Sequence, residues 1–473
     1  MATRQVSESR LPLRGVRVVA CSQFVASPYA ATLLAELGAD VIKVESHHRV
    51  DPGRTNIANP GSLGAFPDNV TGADWWNRSS FFHELNRKQS SVTLDLRSDR
   101  GHELFVELVK RSDVLIESYT PRVMRGWSLD YPELRKHKPD LIMLSLTAFG
   151  HGPGPYASYT GTATSLEATH GHCSITGYRD GPPSKAGMAF VDFVGAWSIV
   201  LAISGALWHR SRTGHGQWID MSLYQLGCLL LSEFLLDYGV NGRIPSRIGD
   251  RHPTRLQNAY PAAGEDEWVV ISIGDDDQWS RLCELMLRED LLRDTRYRSI
   301  VDRRAQQDEL DAEIASWTRT RAKYDIFHVL QTNGIPAAPV LDAKDLHTDP
   351  HHRARGFVEP VVFPRETGIG VRPLIANPWK FDGETPVSGV SGPRLGEHNH
   401  EILEGLLGLT SDDVRDLERA GVLGTELVGH APPRTISLDD FVRLGLLSSY
   451  DPSYKSVLAR FEAKNGGEDH GDK

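Results

Sequence analysis

Residues 16–46 read VRVVACSQFVASPYAATLLAELGADVIKVES, and the fold is decided here. VRVVAC (16–21) is a short, β-branched apolar run of the kind buried in a parallel sheet. Pro28 suits the first turn of a helix, PYAATLLAELG (28–38) places apolar residues on a helical repeat, and Gly38 closes it where a left-handed residue is wanted. DVIKVES (40–46) is the next strand. Strand, helix and strand in about 30 residues make a βαβ unit, which implies a right-handed crossover and parallel neighbours.

The pattern recurs downstream. SSVTLDL (90–96) reads as a strand, RGHELFVELVKRS (100–112) as an amphipathic helix, and DVLIES (113–118) and DLIMLSL (140–146) as further strands. This is a doubly wound α/β domain. The long polar stretch between the second strand and Phe81 is read as a functional loop. AFGHGPGPYASY (148–159) is a second loop, beyond the carboxyl end of a strand where open α/β sheets bind ligands. FVGAWSIVLAISGALWHRSR (193–212) is apolar nearly all round, and another apolar helix is expected over 222–237; both should be buried in the protein or in a subunit contact.

The expected organisation is a large domain from 11–238, a linker and small α/β domain over 239–335, a return to the large domain over 336–424, and a C-terminal extension over 425–473. The small domain carries the strand EWVVISI (267–273) and helices at 276–290 and 305–332. IPAAPVLD (335–342) and VEPVVF (358–363) read as the return, which ends with HEILEGLLGLT (400–410). The tail AKNGGEDHGDK (463–473) is expected to be disordered.

With 473 residues and roughly 150 per domain, two to three domains fit this division. Lys and Arg number 52 against 62 Asp and Glu, a net charge of −10 with no long basic run, which disfavours a nucleic-acid partner. Cys21, Cys173, Cys228 and Cys283 are widely separated, the pattern of thiols in a reducing cytoplasm. The start, MATRQVSESR, has no apolar core, and unbroken apolar runs such as CLLL (228–231) fall short of the ~20 residues that span a bilayer, so no membrane association is expected.

The pairs His170 and His172, His351 and His352, and His398 and His400 lack a Cys or carboxylate at a zinc interval, so no metal site is expected. The first βα turn, SQFVASP, is neither G-x-G-x-x-G nor a P-loop, which disfavours a dinucleotide enzyme. No G-x-S-x-G elbow supports a hydrolase. Asp192 stands out, an acid inside AGMAFVDFVGAW (186–197) immediately before a buried apolar helix. A carboxylate there either caps the helix or is held by its amides for chemistry, and capping is the commoner case.

Several separated strings resemble the family III CoA-transferases, a group that includes formyl-CoA and carnitine CoA-transferases and, as a chemical variant, α-methylacyl-CoA racemase. They are residues 13–45, 86–124, SITGYRDGPPSKAG (174–187), HRSRTGHGQWIDMS (209–222), 335–357 and LGEHNHEILEGLLGL (395–409). The resemblance implies a Rossmann-like large domain built from both chain ends, a small domain between them, and an interlocked homodimer. It implies that Asp192 is the nucleophile, passing through an anhydride and an aspartyl-CoA thioester, with CoA thioester as substrate and no permanently bound cofactor. For CoA it points to Val25 and Ala26, to Leu94 and Arg97, and to Ser118 and Tyr119, with Arg97 and Arg125 placed to meet phosphates.

The departures from the family pattern are informative. Ser118-Tyr119-Thr120-Pro121-Arg122 replaces the Asn-Phe-Gly-Pro-Gly turn of the formyl enzyme, and no glycine loop occurs among Arg251 to Asn258, which argues against oxalate as acceptor. A racemase uses a histidine where this chain has Thr162, and two-base proton exchange needs both groups. Ala163 stands at an often acidic position, with Glu167, a candidate substrate-binding residue, one helical turn on. A non-catalytic CoA-binding member is the remaining alternative, and the retained Asp192 speaks against it.

Overall fold

The computed structural model describes residues 10–55, 66–187, 189–386, 389–433 and 435–462; the tail 463–473 lies outside the described residues. The chain divides into two compact units, Met1–His170 with Gly187–Leu230 and Pro350–Lys473, and Gly171–Ala186 with Leu231–Asp349.

The first unit holds six strands: β1 (Arg17–Cys21), β2 (Asp40–Glu45), β3 (Ser90–Thr93), β4 (Val114–Glu117), β5 (Ile142–Thr147) and β6 (Trp218–Ser222). They lie in the order β3-β2-β1-β4-β5-β6, every neighbour parallel. The α/β class and parallel sheet read from the sequence are therefore found. Alternation along the strands sorts the core into two faces. Val18, Ala20, Val114, Ile116, Ile142 and Leu144 face helices α1 (Ala26–Glu36) and Phe190–Thr213. Val19, Cys21, Leu115 and Met143 face the Asp99–Lys110 helix and residues 402–423.

The helix Phe190–Thr213 begins three residues before the expected start, so Asp192 lies inside its first turn rather than ahead of it. By length and composition alone this helix could cross a membrane. Here Val191, Ala196, Ile199 and Ile203 pack into the core with no exposed surface, and burying each Val or Ile side chain contributes about 1.5–3 kcal/mol. Its outer face leaves Leu201 76% and Trp208 65% exposed. The single buried helix expected over 222–237 is instead two, Leu223–Leu229 and Ser232–Asn241, and the second buries none of its residues within this chain.

The second unit contains an antiparallel sheet of β7 (Leu256–Pro261), β8 (Trp268–Ile273) and β9 (Ala337–Pro339). Its extent differs from 239–335 at both ends. IPAAPVLD belongs here and not to a returning segment, because Ala337 and Pro339 pair with Ile271 and Val269 on the strand EWVVISI supplies. VEPVVF does return to the first unit, as an antiparallel ribbon of Val358–Val362 with Val371–Ile375.

Candidate active site

Adjacent strands β1 and β4 send their following helices to opposite faces of the sheet, since Ala26 and Ala30 join one core and Met124 the other. A crevice must open between their carboxyl ends. It is a cleft of about 550 Å³ lined by Cys21, Gln23, Phe24, Ser46, Arg49, Leu94, Arg97, Ser118, Tyr119, Thr120 and Arg122, among others. Four of the expected CoA-binding residues, Leu94, Arg97, Ser118 and Tyr119, are thus brought together. Val25 and Ala26 follow directly on Phe24 at the start of α1. Arg125 is not in this cleft. It lies in the Pro121–Gly126 helix and lines an adjoining groove with Arg122, His151 and Thr160.

Arg49, Arg97 and Arg122 line the cleft beside Glu45 and Asp95, and their guanidinium groups suit phosphate. The Arg97 guanidinium is held by Asp95 at 2.9 and 3.0 Å and stays largely solvated. Arg49, Arg122 and Phe24 escaped the sequence reading, since no spacing rule brings the 46–49 turn beside β4.

The first βα turn is held from below. Phe24 has φ of +69°, a left-handed conformation that costs a residue other than glycine about 1–3 kcal/mol, and its side chain is 54% exposed. The Phe24 N–H donates to Asp51 Oδ1 at 3.2 Å. Asp51 Oδ2 in turn lies 3.0 Å from Lys43 Nζ, which also donates to the Ser22 carbonyl at 3.0 Å. Both charged side chains are buried, so this pair pins the turn between β1 and α1.

On the other side of the cleft the Tyr119 N–H donates to Glu117 Oε2 at 2.8 Å. Burial pushes the Glu117 carboxyl up to about 7, opposed by hydrogen bonds from Ser145 and Tyr119. Cys21 is buried against Tyr119, and its thiol is pushed up to about 12, chiefly by burial. A thiol at that value is protonated at neutral pH and is not a nucleophile.

Asp192 and Glu167 do not line the cleft. They sit on the face of the sheet covered by α1, Asp192 in the first turn of Phe190–Thr213 and Glu167 in the short helix Ala163–Thr169. Ala189, not Asp192, occupies the cap position, so simple capping does not explain the acid. Burial first, and the neighbouring Glu167 charge second, push the Asp192 carboxyl up from 3.8 to about 6, opposed by its own backbone N–H. The helix amino terminus therefore does not hold it at the low value expected of a capping acid, yet it is mostly ionised at neutral pH. Glu167 is fully buried. Thr162, where a racemase has its histidine, caps the Ala163–Thr169 helix in a reciprocal box with Ser165.

The cleft and Asp192 are joined through α1. Gly195, one turn beyond Asp192, lies against this helix: a Cβ there would stand 3.6 Å from the Ala26 Cβ and 2.6 Å from Leu223 Cδ2. The Tyr29 and Phe193 rings meet edge to face at 5.3 Å. The turn Gln23–Ala26 thus runs from the arginine-lined cleft to the helix that carries the half-buried acid.

A doubly wound sheet with an arginine-lined crevice at its switch point, and a half-buried carboxylate across the first helix, is an α/β architecture whose crevice suits an anionic ligand. Residues 13–399 match the model of CoA-transferase family III, and the chain belongs to that family; it is a CoA-transferase. It is 36% identical over 397 residues to the succinate–glutarate CoA-transferase of Agrobacterium fabrum, covering 83% of this chain and 95% of that one. It is 32% identical over 422 residues to the succinyl-CoA–D-citramalate CoA-transferase of Chloroflexus aurantiacus, covering 87% and 98%. Among solved structures, a CAIB/BAIF family protein from Brucella suis superposes with a TM-score of 0.74 at 32% identity, over 84% of this chain and 99% of that one.

Proposed function

We propose that this enzyme moves CoA from succinyl-CoA, or a similar short dicarboxylic thioester, to a free dicarboxylate, with Asp192 as the covalent carrier. The observation that carries the reading is the route from a cleft edged by Arg49, Arg97 and Arg122, past Gln23–Ala26, to the ionisable Asp192. The phosphates of CoA suit the arginines, and the pantetheine arm would lie along the first βα turn. The substrate class rests on the two relatives, whose names give short dicarboxylates.

The chemistry is two rounds of acyl transfer. An Asp192 oxygen attacks the donor thioester carbon, the C–S bond breaks, and CoA thiolate leaves a mixed anhydride. The thiolate attacks the Asp192 acyl carbon, releasing the donor acid and forming aspartyl-CoA. The acceptor carboxylate then attacks that carbon and expels the thiolate, leaving a second anhydride. Thiolate attack on the acceptor's acyl carbon forms the new thioester and restores the Asp192 carboxylate. Acylation removes a negative charge from beside Glu167, so the like-charge repulsion that raises Asp192 in the resting enzyme favours the step that neutralises it.

A homodimer accounts for the apolar surface left on each unit. Leu201, Trp208 and Leu229 on the first unit, and Leu235, Leu236 and Val240 on the second, are all more than half exposed, and a patchwork of this kind suits a large obligate interface. Light scattering should give the mass of two chains.

Incubation with succinyl-CoA and a panel of dicarboxylic acids tests the reading. Mass spectrometry should find a new CoA thioester of at least one acceptor. A folded protein that forms none, across the panel and with other acyl-CoAs, would overturn it.

A further inference from the structure

The family match ends at residue 399, and the Agrobacterium relative is covered almost completely while a sixth of this chain is left over. The apolar cores of the sheet take their last residue at Leu423. Beyond Leu423 the described residues add no strand to the sheet and no side chain to its cores, yet they make polar contacts with Thr93 at the end of β3, with Asp68 and Trp76, and with the turn at His47 and His48.

The Gly424 carbonyl accepts from Thr93 Oγ1 at 2.8 Å, and the Trp76 indole donates to the Thr425 carbonyl at 3.2 Å. The Val428 N–H donates to the His47 carbonyl at 3.0 Å, and His430 Nε2 lies 3.4 Å from the His48 carbonyl. Farther on, the Tyr454 hydroxyl donates to Asp68, with Lys455 Nζ 3.4 Å from the same carboxylate. Tyr454 and Lys455 hold the Asp68 carboxyl below its ordinary value against the opposing effect of burial.

The turn that receives Val428 and His430 is the one that carries Arg49. Its inner side is closed by the Ser46 hydroxyl, which accepts from the His48 and Arg49 N–H groups at 3.3 Å each. Its outer carbonyls, at His47 and His48, are bonded by the extension. Ser46 and Arg49 line the cleft.

We propose that residues 425–433 and 435–455 form a strap that positions the Ser46–Arg49 turn, so that Arg49 meets the anionic part of the CoA thioester. This inference rests on the reading of the cleft as the CoA site. Val428 and His430 are positioning residues: they act through Arg49 and touch neither CoA nor Asp192. Without them the turn keeps its Ser46 bonds, the His48 ring contact with the Gly421 carbonyl at 3.3 Å and the Gln23 bond to the Arg49 carbonyl at 3.5 Å, but loses the two bonds to its His47 and His48 carbonyls, and Arg49 must be ordered further at the expense of binding energy.

The test uses the full chain carrying Val428→Pro and His430→Ala together, Val428 being exposed so that no core is disturbed. With each lost bond worth a few-fold in binding, KM for succinyl-CoA and the calorimetric Kd for CoA should rise about three- to tenfold, with kcat within about twofold of wild type. In an Arg49→Ala background the same pair should add little. A second variant, Tyr454→Phe with Lys455→Ala, should give a smaller rise of the same kind. Unchanged KM and Kd would overturn the proposal. So would a fall in kcat as large as the rise in KM, or an effect undiminished in the Arg49→Ala background. A wild-type protein that binds no CoA would overturn the cleft reading itself, a result distinct from wild-type binding that the strap variants leave intact.

Discussion

Asp192→Asn should make the protein more stable while abolishing its turnover. Raising a carboxyl from 3.8 to about 6 corresponds, at 1.36 kcal/mol per pKa unit, to about 3 kcal/mol by which the fold disfavours the charged form. The sign follows from linkage. The folded-state value lies above the unfolded one, so this stability is fully present below about pH 4 and lost as pH rises through about 6. An amide carries no charge to desolvate and does not repel Glu167. It forgoes about 0.3–1 kcal/mol of favourable charge at a helix amino terminus, which leaves a net gain of about 2 kcal/mol at pH 7.5. Urea unfolding of wild type and variant at equal protein concentration, at pH 7.5 and again near pH 4, measures it. The variant should unfold at higher urea at neutral pH and lose that advantage in acid. A variant equal to or weaker than wild type at pH 7.5 would refute the reasoning, because it would mean that Asp192 serves the helix and not the chemistry.

The same geometry yields other outcomes. Asp51→Ala strands the buried Lys43 and should cost about 3–5 kcal/mol in urea unfolding, whereas a surface-like loss under 1 kcal/mol would show that the pair does not pin the first βα turn. Glu167→Gln removes the charge that helps raise Asp192, so the acid limb of kcat/KM should move to lower pH; an unmoved limb would separate the two acids. Arg97→Ala should raise KM for acyl-CoA modestly, with a reduced dependence on salt, and leave kcat at saturation nearly unchanged.

The sheet was legible because its strands are buried on both faces, and such strands declare themselves as β-branched runs: RVVAC, DVIKVE and VLIE are found as read. Asp192 was legible as a residue but not in its setting. No Ser, Thr, Asn or Asp marks position 189, so the apolar pattern alone suggested a later helix start, and the chain distance to Glu167 hides their proximity. The third strand of the small sheet was misassigned for a similar reason, as Ala337–Pro339 carries too little β-branched character to signal its pairing with β8. The cleft arginines lie on turns placed by tertiary contacts, with Asp51 holding Phe24 and Val428 holding His47. Periodicity does not report such contacts.

The central claim is that Asp192 becomes acylated in each catalytic cycle. Hydroxylamine added during turnover with succinyl-CoA and an acceptor acid, followed by peptide mass spectrometry, tests it most directly, since anhydrides and thioesters react with hydroxylamine and free carboxylates do not. Asp192 should be recovered as its hydroxamate, only when acyl-CoA is present, with activity lost in proportion. Turnover that continues with Asp192 unmodified, or a hydroxamate formed at Glu167 instead, would contradict it.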